Sequence, residues 1–307
     1  MAIEMTEGSS AGITIFDRAK AAGIDLTKVE QYAEETRAKH AASNSTNKAN
    51  ILLYGLHGTG KTTTMITAPK PVHVDCFDRG GLKTAAIKPL IEQGLIIPDN
   101  RYEDDWWKAP RAFRLWETSL LHRIKTGYFN TIGTYYLDSI TAFADAAMWA
   151  ILAASKDRRG DRTGTLPDRN DYAPLVYMLS AYMGKLMELP CHVIVTGHLI
   201  PPYRDEETKT VTPAALLLNS RSSLKAPTSF DEKWIARTEQ IGPRTNFYLQ
   251  TQPEGDWHAQ TRIGGNGIFS VREPQDIRAL LKKAGMSHED NALGMEIFAK
   301  KGGPAQP

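Results

Sequence analysis

Cysteine is nearly missing from these 307 residues, with only Cys76 and Cys191 present, each beside an apolar run. Two such residues build neither a disulfide framework nor a metal-ligand cluster, and both read as small buried hydrophobes. Long apolar runs are missing too. No stretch is apolar enough to cross a bilayer, and the first residues, MAIEMTEGSS, lack the basic start and apolar core of a secretory leader. Secretion and membrane insertion are therefore not expected, whereas a reducing, cytoplasmic setting is. Excess charge of one sign is the third absence. A formal net charge of +2 argues against a histone-like binder and leaves room only for local basic loops. The chain is long enough to bury a core without staples, either as one large α/β domain with extensions or as two small domains.

What is present has an order. Two helical pieces are expected at the start, Ile13 to Ala22 and Leu26 to His40, the second capped by Asp25 or Thr27. A polar linker, Ala41 to Asn50, follows, and a compact domain is expected to begin near Asn47, leaving residues 1–46 as a helical amino-terminal extension. From there apolar strands at Ile51 to Tyr54, Val72 to Val74, Thr134 to Leu137 and His192 to Thr196 alternate with helical stretches, among them Lys61 to Thr67. This alternation implies an α/β core, a mainly parallel sheet covered by helices. Shorter strands at Trp234 to Thr238, Asn246 to Gln250 and His258 to Thr261 suggest an antiparallel edge. One amphipathic helix, Pro274 to Ala284, and a fraying tail complete the chain, so the core is placed at 47–272 and a C-terminal part at 273–307.

Gly55-Leu56-His57-Gly58-Thr59-Gly60-Lys61-Thr62 matches G-x-x-x-x-G-K-[ST] and stands between an apolar strand and an expected helix. Such glycines let backbone N–H groups turn inward around phosphates, and a helix start adds positive potential. Lys61 then serves the terminal phosphates. Thr62 offers a hydroxyl to Mg²⁺, a cation that prefers hard oxygen ligands. Residues Gly55 through Thr63 are the expected ATP-binding set. A second carboxylate for the metal stands at the end of a neighbouring strand, Asp138 in Thr134-Tyr-Tyr-Leu-Asp138-Ser139, with Ser139 suited to cap the helix that follows.

Leu137-Asp138-Ser139-Ile140-Thr141 resembles the aspartate-serine form of the second nucleotide motif in RecA-type cores, and Glu188 to His198 resembles the next strand of that fold. More narrowly, the chain resembles phage-encoded AAA/RecA-like nucleotide-binding proteins, the group that includes RecA-like single-strand annealing proteins. The resemblance covers about Asn47 to Arg272. It implies a RecA-like P-loop ATPase fold that binds ATP and Mg²⁺ and forms a homo-oligomer in a phage-infected bacterial cell. It implies His198 as γ-phosphate sensor and an acidic residue after the second strand that orients water, Asp78 by preference or Asp75. It also implies an arginine finger at Arg262 acting in trans on a neighbour, although Gln260 replaces the usual lysine and a plain surface arginine is the competing reading.

The same resemblance points to two loops as the contacts of single-stranded DNA. The first carries Lys156, Arg158, Arg159, Arg162 and Arg169 with glycines and no aromatic. The second, Pro201 to Asp231, offers Tyr203, Arg204, Lys209, Arg221, Lys225 and Phe230 among acidic residues. A third cluster, from Trp106 to Lys125, interleaves aromatics and bases in a stretch read as helical, its tryptophans packing into core beneath snorkelling arginines. His57 and His73 read as local packing or polar residues. Recombination, annealing or replication is the expected setting. A nucleotide-dependent switch acting on a protein partner with little hydrolysis is the competing function.

Overall fold

In the computed structural model residues 20–42, 47–157 and 160–299 are described, and the chain divides into two compact units, residues 1–46 and residues 47–307. The first contains helix α1 (Leu26–Ala42), at whose start the Asp25 carboxylate accepts from the Lys28 amide at 3.3 Å. Most of the helix expected from Ile13 to Ala22 lies outside the described residues.

The second unit opens with β1 (Asn50–Gly55), β2 (Val72–Cys76), α2 (Lys88–Glu92), β3 (Ile96–Asp99), α3 (Ala112–Lys125), β4 (Thr134–Asp138) and α4 (Ile140–Ala154). It continues with the small pair β5 (Lys156–Asp157) and β6 (Gly160–Asp161), then α5 (Tyr172–Met187) and β7 (His192–Ile200). A second small pair, β8 (Tyr203–Arg204) and β9 (Val211–Thr212), precedes β10 (Ala215–Leu216), α6 (Ser220–Lys225), β11 (Glu232–Ile241) and β12 (Arg244–Gln250). Last come β13 (Arg272–Pro274), α7 (Ile277–Lys283) and α8 (Ala292–Phe298).

Among the described residues nine strands form one sheet in the order β13-β12-β11-β1-β7-β4-β2-β3, with β10 antiparallel to the end of β7. The pairs from β11 through β3 are all parallel, and β12 and β13 add an antiparallel edge. This is the expected α/β core, a mainly parallel sheet with an antiparallel edge. Successive side chains of a strand point to opposite faces, so a strand covered on both sides must be apolar throughout. In β1, Leu52 and Tyr54 join the layer under α3, α4 and α5, where Trp116, Phe143 and Leu179 are buried. Ile51 and Leu53 join the opposite layer with Trp234, Phe269 and Leu280 of α7.

Three expectations about elements are corrected. The stretch after the phosphate loop is a 3₁₀ turn, Thr62–Ile66, and no longer helix follows. Thr64 Oγ1 bonds Lys61 O at 2.5 Å and Thr67 Oγ1 bonds Thr64 O at 2.9 Å, competing with helical pairing, and Pro69 and Pro71 then prevent continuation. The segment His258 to Thr261 is not a strand, because the Arg262 and Ile263 amides donate to the Glu232 carboxylate at 2.6 and 2.8 Å, leaving a single bridge between Lys233 and Gln260. The true edge is β13. Finally, helix α3 starts only at Ala112, since Asp105 accepts from the Arg111 and Ala112 amides at 2.8 and 3.1 Å after Pro110 has broken the chain direction. Trp116 is fully buried as expected, whereas Trp106 and Trp107 stay 57% and 36% exposed ahead of the helix.

Candidate functional site

In an open parallel sheet, ligands bind beyond the carboxyl ends of the strands. Gly55 at the end of β1 lies in register with His198 of β7, and Cys76 of β2 with Asp138 of β4, so four strand ends share one rim. The amides of Phe77 and Asp78 both donate to the Asp138 carbonyl, at 2.6 and 3.0 Å, which swings Asp78 over the rim. A cleft of about 500 Å³ results, walled by residues 57–63 of the phosphate loop, by Asp78, Asp138 and His198, and by Arg79 to Gly81.

The loop is built to meet an anion. Gly60 has φ +82°, a conformation that side-chain-bearing residues avoid, and the amides of Gly58, Gly60 and Lys61 donate to no acceptor among the described residues. Lys61 Nζ folds back onto the loop, donating to the carbonyls of Gly55 at 3.0 Å and Leu56 at 2.8 Å. Burial lowers the Lys61 ammonium pKa, opposed by the charges of Asp138 and Asp78. An ammonium left on carbonyls, with unsatisfied amides beside it, suits a polyphosphate that replaces those carbonyls. Helix potential contributes less than expected, because the turn after Lys61 is one short 3₁₀ element.

Asp138 is buried, and its carboxylate accepts from Thr62 Oγ1 at 2.8 Å and from Thr196 Oγ1 on β7. Burial raises its pKa against those two hydrogen bonds, and the charge of Asp78 raises it further. A Cβ on Gly81 would stand 3.1 Å from Asp138 Oδ2, so glycine there keeps the carboxylate open to the cleft. Two hard oxygens meeting at a desolvated carboxylate fit Mg²⁺, which Thr62 and Asp138 would hold.

Asp78 Oδ2 meets His198 Nε2 at 3.1 Å. Burial works against ionisation of Asp78, but hydrogen bonds from His198 and Ser139 and the charge of His198 and Lys61 hold its carboxyl below the usual range. Among the described residues His198 Nδ1 is buried without a partner, and the ring lies tilted at 32° against His57, 4.4 Å between centroids. The pairing of His57 with His198 was not foreseen. Asp75, the other candidate, belongs to the interior. It accepts from Arg123 at 2.9 and 3.0 Å, from Trp116 Nε1 at 2.9 Å and from Tyr135 OH at 2.6 Å, and lies beside His73 Nε2 at 3.0 Å. His73, Asp75 and Asp99 come close enough together to suggest a metal group, but the Arg123 guanidinium already supplies the cation.

Other expected residues fall elsewhere. Arg262 pairs with Asp231 at 3.5 Å, beside the start of β11, and β11 is in register there with the first residues of β1, five residues of strand from the phosphate loop at about 3.3 Å each. It does not reach the cleft of its own chain. Arg158 and Arg159 lie outside the described residues, as does the side chain of Lys156. Arg162, expected among the DNA contacts, is bound by Asp171 at 2.6 and 2.7 Å and by Asp168 at 3.3 Å. Arg169 is exposed. In the second loop Phe230 is core and unavailable for stacking. Sequence reasoning also missed Thr196 and Gln275. The Gln275 amide donates to Thr59 O at 2.7 Å, and no local pattern connects residues so distant.

Fold and cleft together define an α/β protein with a phosphate-binding loop at the carboxyl ends of a mainly parallel sheet. The chain belongs to the AAA domain family, whose model matches residues 47–263. It is similar in structure to a KaiC-like protein from the hyperthermophilic archaeon Pyrococcus horikoshii OT3, with 14% identity and a TM-score of 0.37 over 70% of this chain and 82% of that one. No curated protein matches the chain. No helix of the described residues is long and apolar enough to cross a membrane.

Proposed function

We propose that the protein is a slow ATPase that couples Mg-ATP to single-stranded DNA in recombination, annealing or replication. The observation that carries the ATPase reading is the convergence of Thr62, Asp138, Asp78 and His198 on one cleft beside Lys61. Lys61 leaves the loop carbonyls for the terminal phosphates, and Thr62 with Asp138 holds the cation. When bound, Mg²⁺ offsets phosphate charge. Asp78 has its pKa held low, so it orients the attacking water by accepting a hydrogen bond more than by removing its proton. His198, which lines the cleft beside Asp78, serves as γ-phosphate sensor.

DNA coupling rests on the resemblance to phage-encoded RecA-like proteins, in which a homo-oligomer also forms and Arg262 serves a neighbour. The engagement of Arg162 by Asp171 favours the second reading, a switch that acts on a protein partner. ATP turnover with and without single-stranded DNA, at low and moderate salt, separates them. Salt-sensitive stimulation that disappears in Lys61→Ala, with the folded state retained, supports the first reading. Turnover indifferent to DNA supports the second, and turnover unchanged in Lys61→Ala refutes the site itself.

A further inference from the structure

A larger cavity, about 580 Å³, lies apart from the phosphate loop, where the first turns of α4 meet residues 165–167 and 217–219. Trp107, Trp149 and Tyr172 line it, and Asp145 is its one charged residue. None of these three rings stacks on another aromatic among the described residues, in contrast to Trp116, which touches Phe77, Phe113, Phe143 and Tyr182. Lys108 Nζ covers Trp107 at 5.3 Å from the ring centre. Asp145 makes no hydrogen bond or ion pair with a described residue. Its surface opens into the cavity, yet the surrounding protein mass raises its carboxyl pKa, and the charge of Asp78 adds to the rise.

Phosphate is a poor occupant of a cavity whose only charge is a carboxylate. A flat ring with N–H donors along one edge suits it, since aromatic faces stack with bases and a carboxylate accepts from a base edge. Three of the five lining segments are followed closely by an exposed cation, Lys108 after Trp107, Arg169 after Pro167 and Arg221 after Asn219, so backbone phosphates of a strand find charge at the rim. The cavity also shares walls, at one remove, with the nucleotide cleft. An intermediate pocket of about 270 Å³ shares Asp78 and Arg79 with the cleft and Asp145 and Trp149 with the cavity. In addition, Thr141 lines the cavity and its hydroxyl accepts from the His198 amide at 3.1 Å.

Resting on the DNA-coupled reading, we propose that this cavity receives one unstacked nucleobase, guanine best, with Asp145 accepting from its N1–H and exocyclic amine and Trp107 supplying a stacking face. Thymine presents a single N–H between two carbonyls that repel the carboxylate, so it is the base rejected. Occupancy is felt at His198 through Thr141 and at Asp78 through the shared walls.

The test is fluorescence anisotropy on the full chain without ATP, using a labelled dT strand, the same strand with one central guanine, and the same strand with an abasic position there. The guanine strand is expected to bind about tenfold tighter than the other two. Asp145→Asn should erase that preference and spare dT binding. Trp107→Ala should weaken the guanine strand about tenfold, with Trp107→Phe restoring it and so excluding misfolding as the cause. Competition by free guanosine at matching affinity assigns the site to a free nucleoside, and failure to compete assigns it to the strand. Equal binding of all three strands, a guanine preference that survives Asp145→Asn, or no binding of strand or guanosine overturns the proposal. ATP turnover is read on the same preparations. Turnover without base preference discards the cavity and keeps the ATPase, whereas base preference without Lys61-dependent turnover does the reverse.

Discussion

Asp75 and Asp78 stand three residues apart at the end of one strand and have opposite fates. Asp75 is fully buried, and its oxygens are shared among Arg123, Trp116 and Tyr135 with His73 alongside. Asp78 faces the cleft with two side-chain neighbours, Ser139 and His198, and the second ring nitrogen of His198 has no partner among the described residues. A saturated carboxylate is a structural part, because any new partner must displace an existing one. A partly satisfied carboxylate beside an unpaired histidine nitrogen has capacity left for water and phosphate. Chemistry in this protein lies where hydrogen bonding is incomplete.

The largest effect is expected on the saturated side. Asp75→Ala leaves the Arg123 guanidinium buried without its counter-ion and should cost about 3–5 kcal/mol of stability, measured by denaturant unfolding. Burial opposes ionisation of Asp75, but the hydrogen bonds and charge of His73 and Arg123 hold its pKa well below the ordinary value. Its contribution is therefore complete above a pH of about 4 and lost as pH falls through the lower folded value, an acid slope that Asp75→Asn should lack. A variant as stable as the parent would place Asp75 outside the core network.

On the open side, Asp78→Asn should reduce turnover about 100-fold with nucleotide affinity and unfolding midpoint unchanged. Loss of affinity instead would make Asp78 a binding group, and the contrast with Asp75 would need redrawing. The smallest effect concerns support of the cradle. Gln275→Ala removes one hydrogen bond to Thr59 O, worth about 1 kcal/mol, and should weaken binding of a non-hydrolysable ATP analogue about fivefold in calorimetry. Unchanged affinity would mean that the loop holds its shape without Gln275.

The phosphate loop was legible because its chemistry demands fixed residues at fixed spacing in consecutive positions, and Asp138 because it ends an apolar strand. The parallel core was legible for a related reason, since strands buried on both faces must be apolar throughout. Asp75 and Asp78 were harder to separate, because burial and donor count depend on Arg123 and Tyr135, distant in sequence. Trp107 was read as core because the helix register was extended across Pro110, where Asp105 in fact starts a new helix. The strand assigned to His258–Thr261 failed because a side chain, Glu232, took the amides that a neighbouring strand would have used.

The brief 3₁₀ turn after Lys61 has a practical consequence for anyone shortening this protein. A long helix would stiffen the loop from within, but here the rigidity comes from outside the matched family region. Gln275 holds Thr59, the Ile277 amide donates to Thr67 Oγ1 at 2.9 Å, and Asp290 accepts from the Lys70 amide at 2.6 Å. A fragment cut at residue 263 would keep every signature residue of the loop and lose all three of these braces. Weak nucleotide binding by such a fragment would report on the cut and say nothing about the full chain.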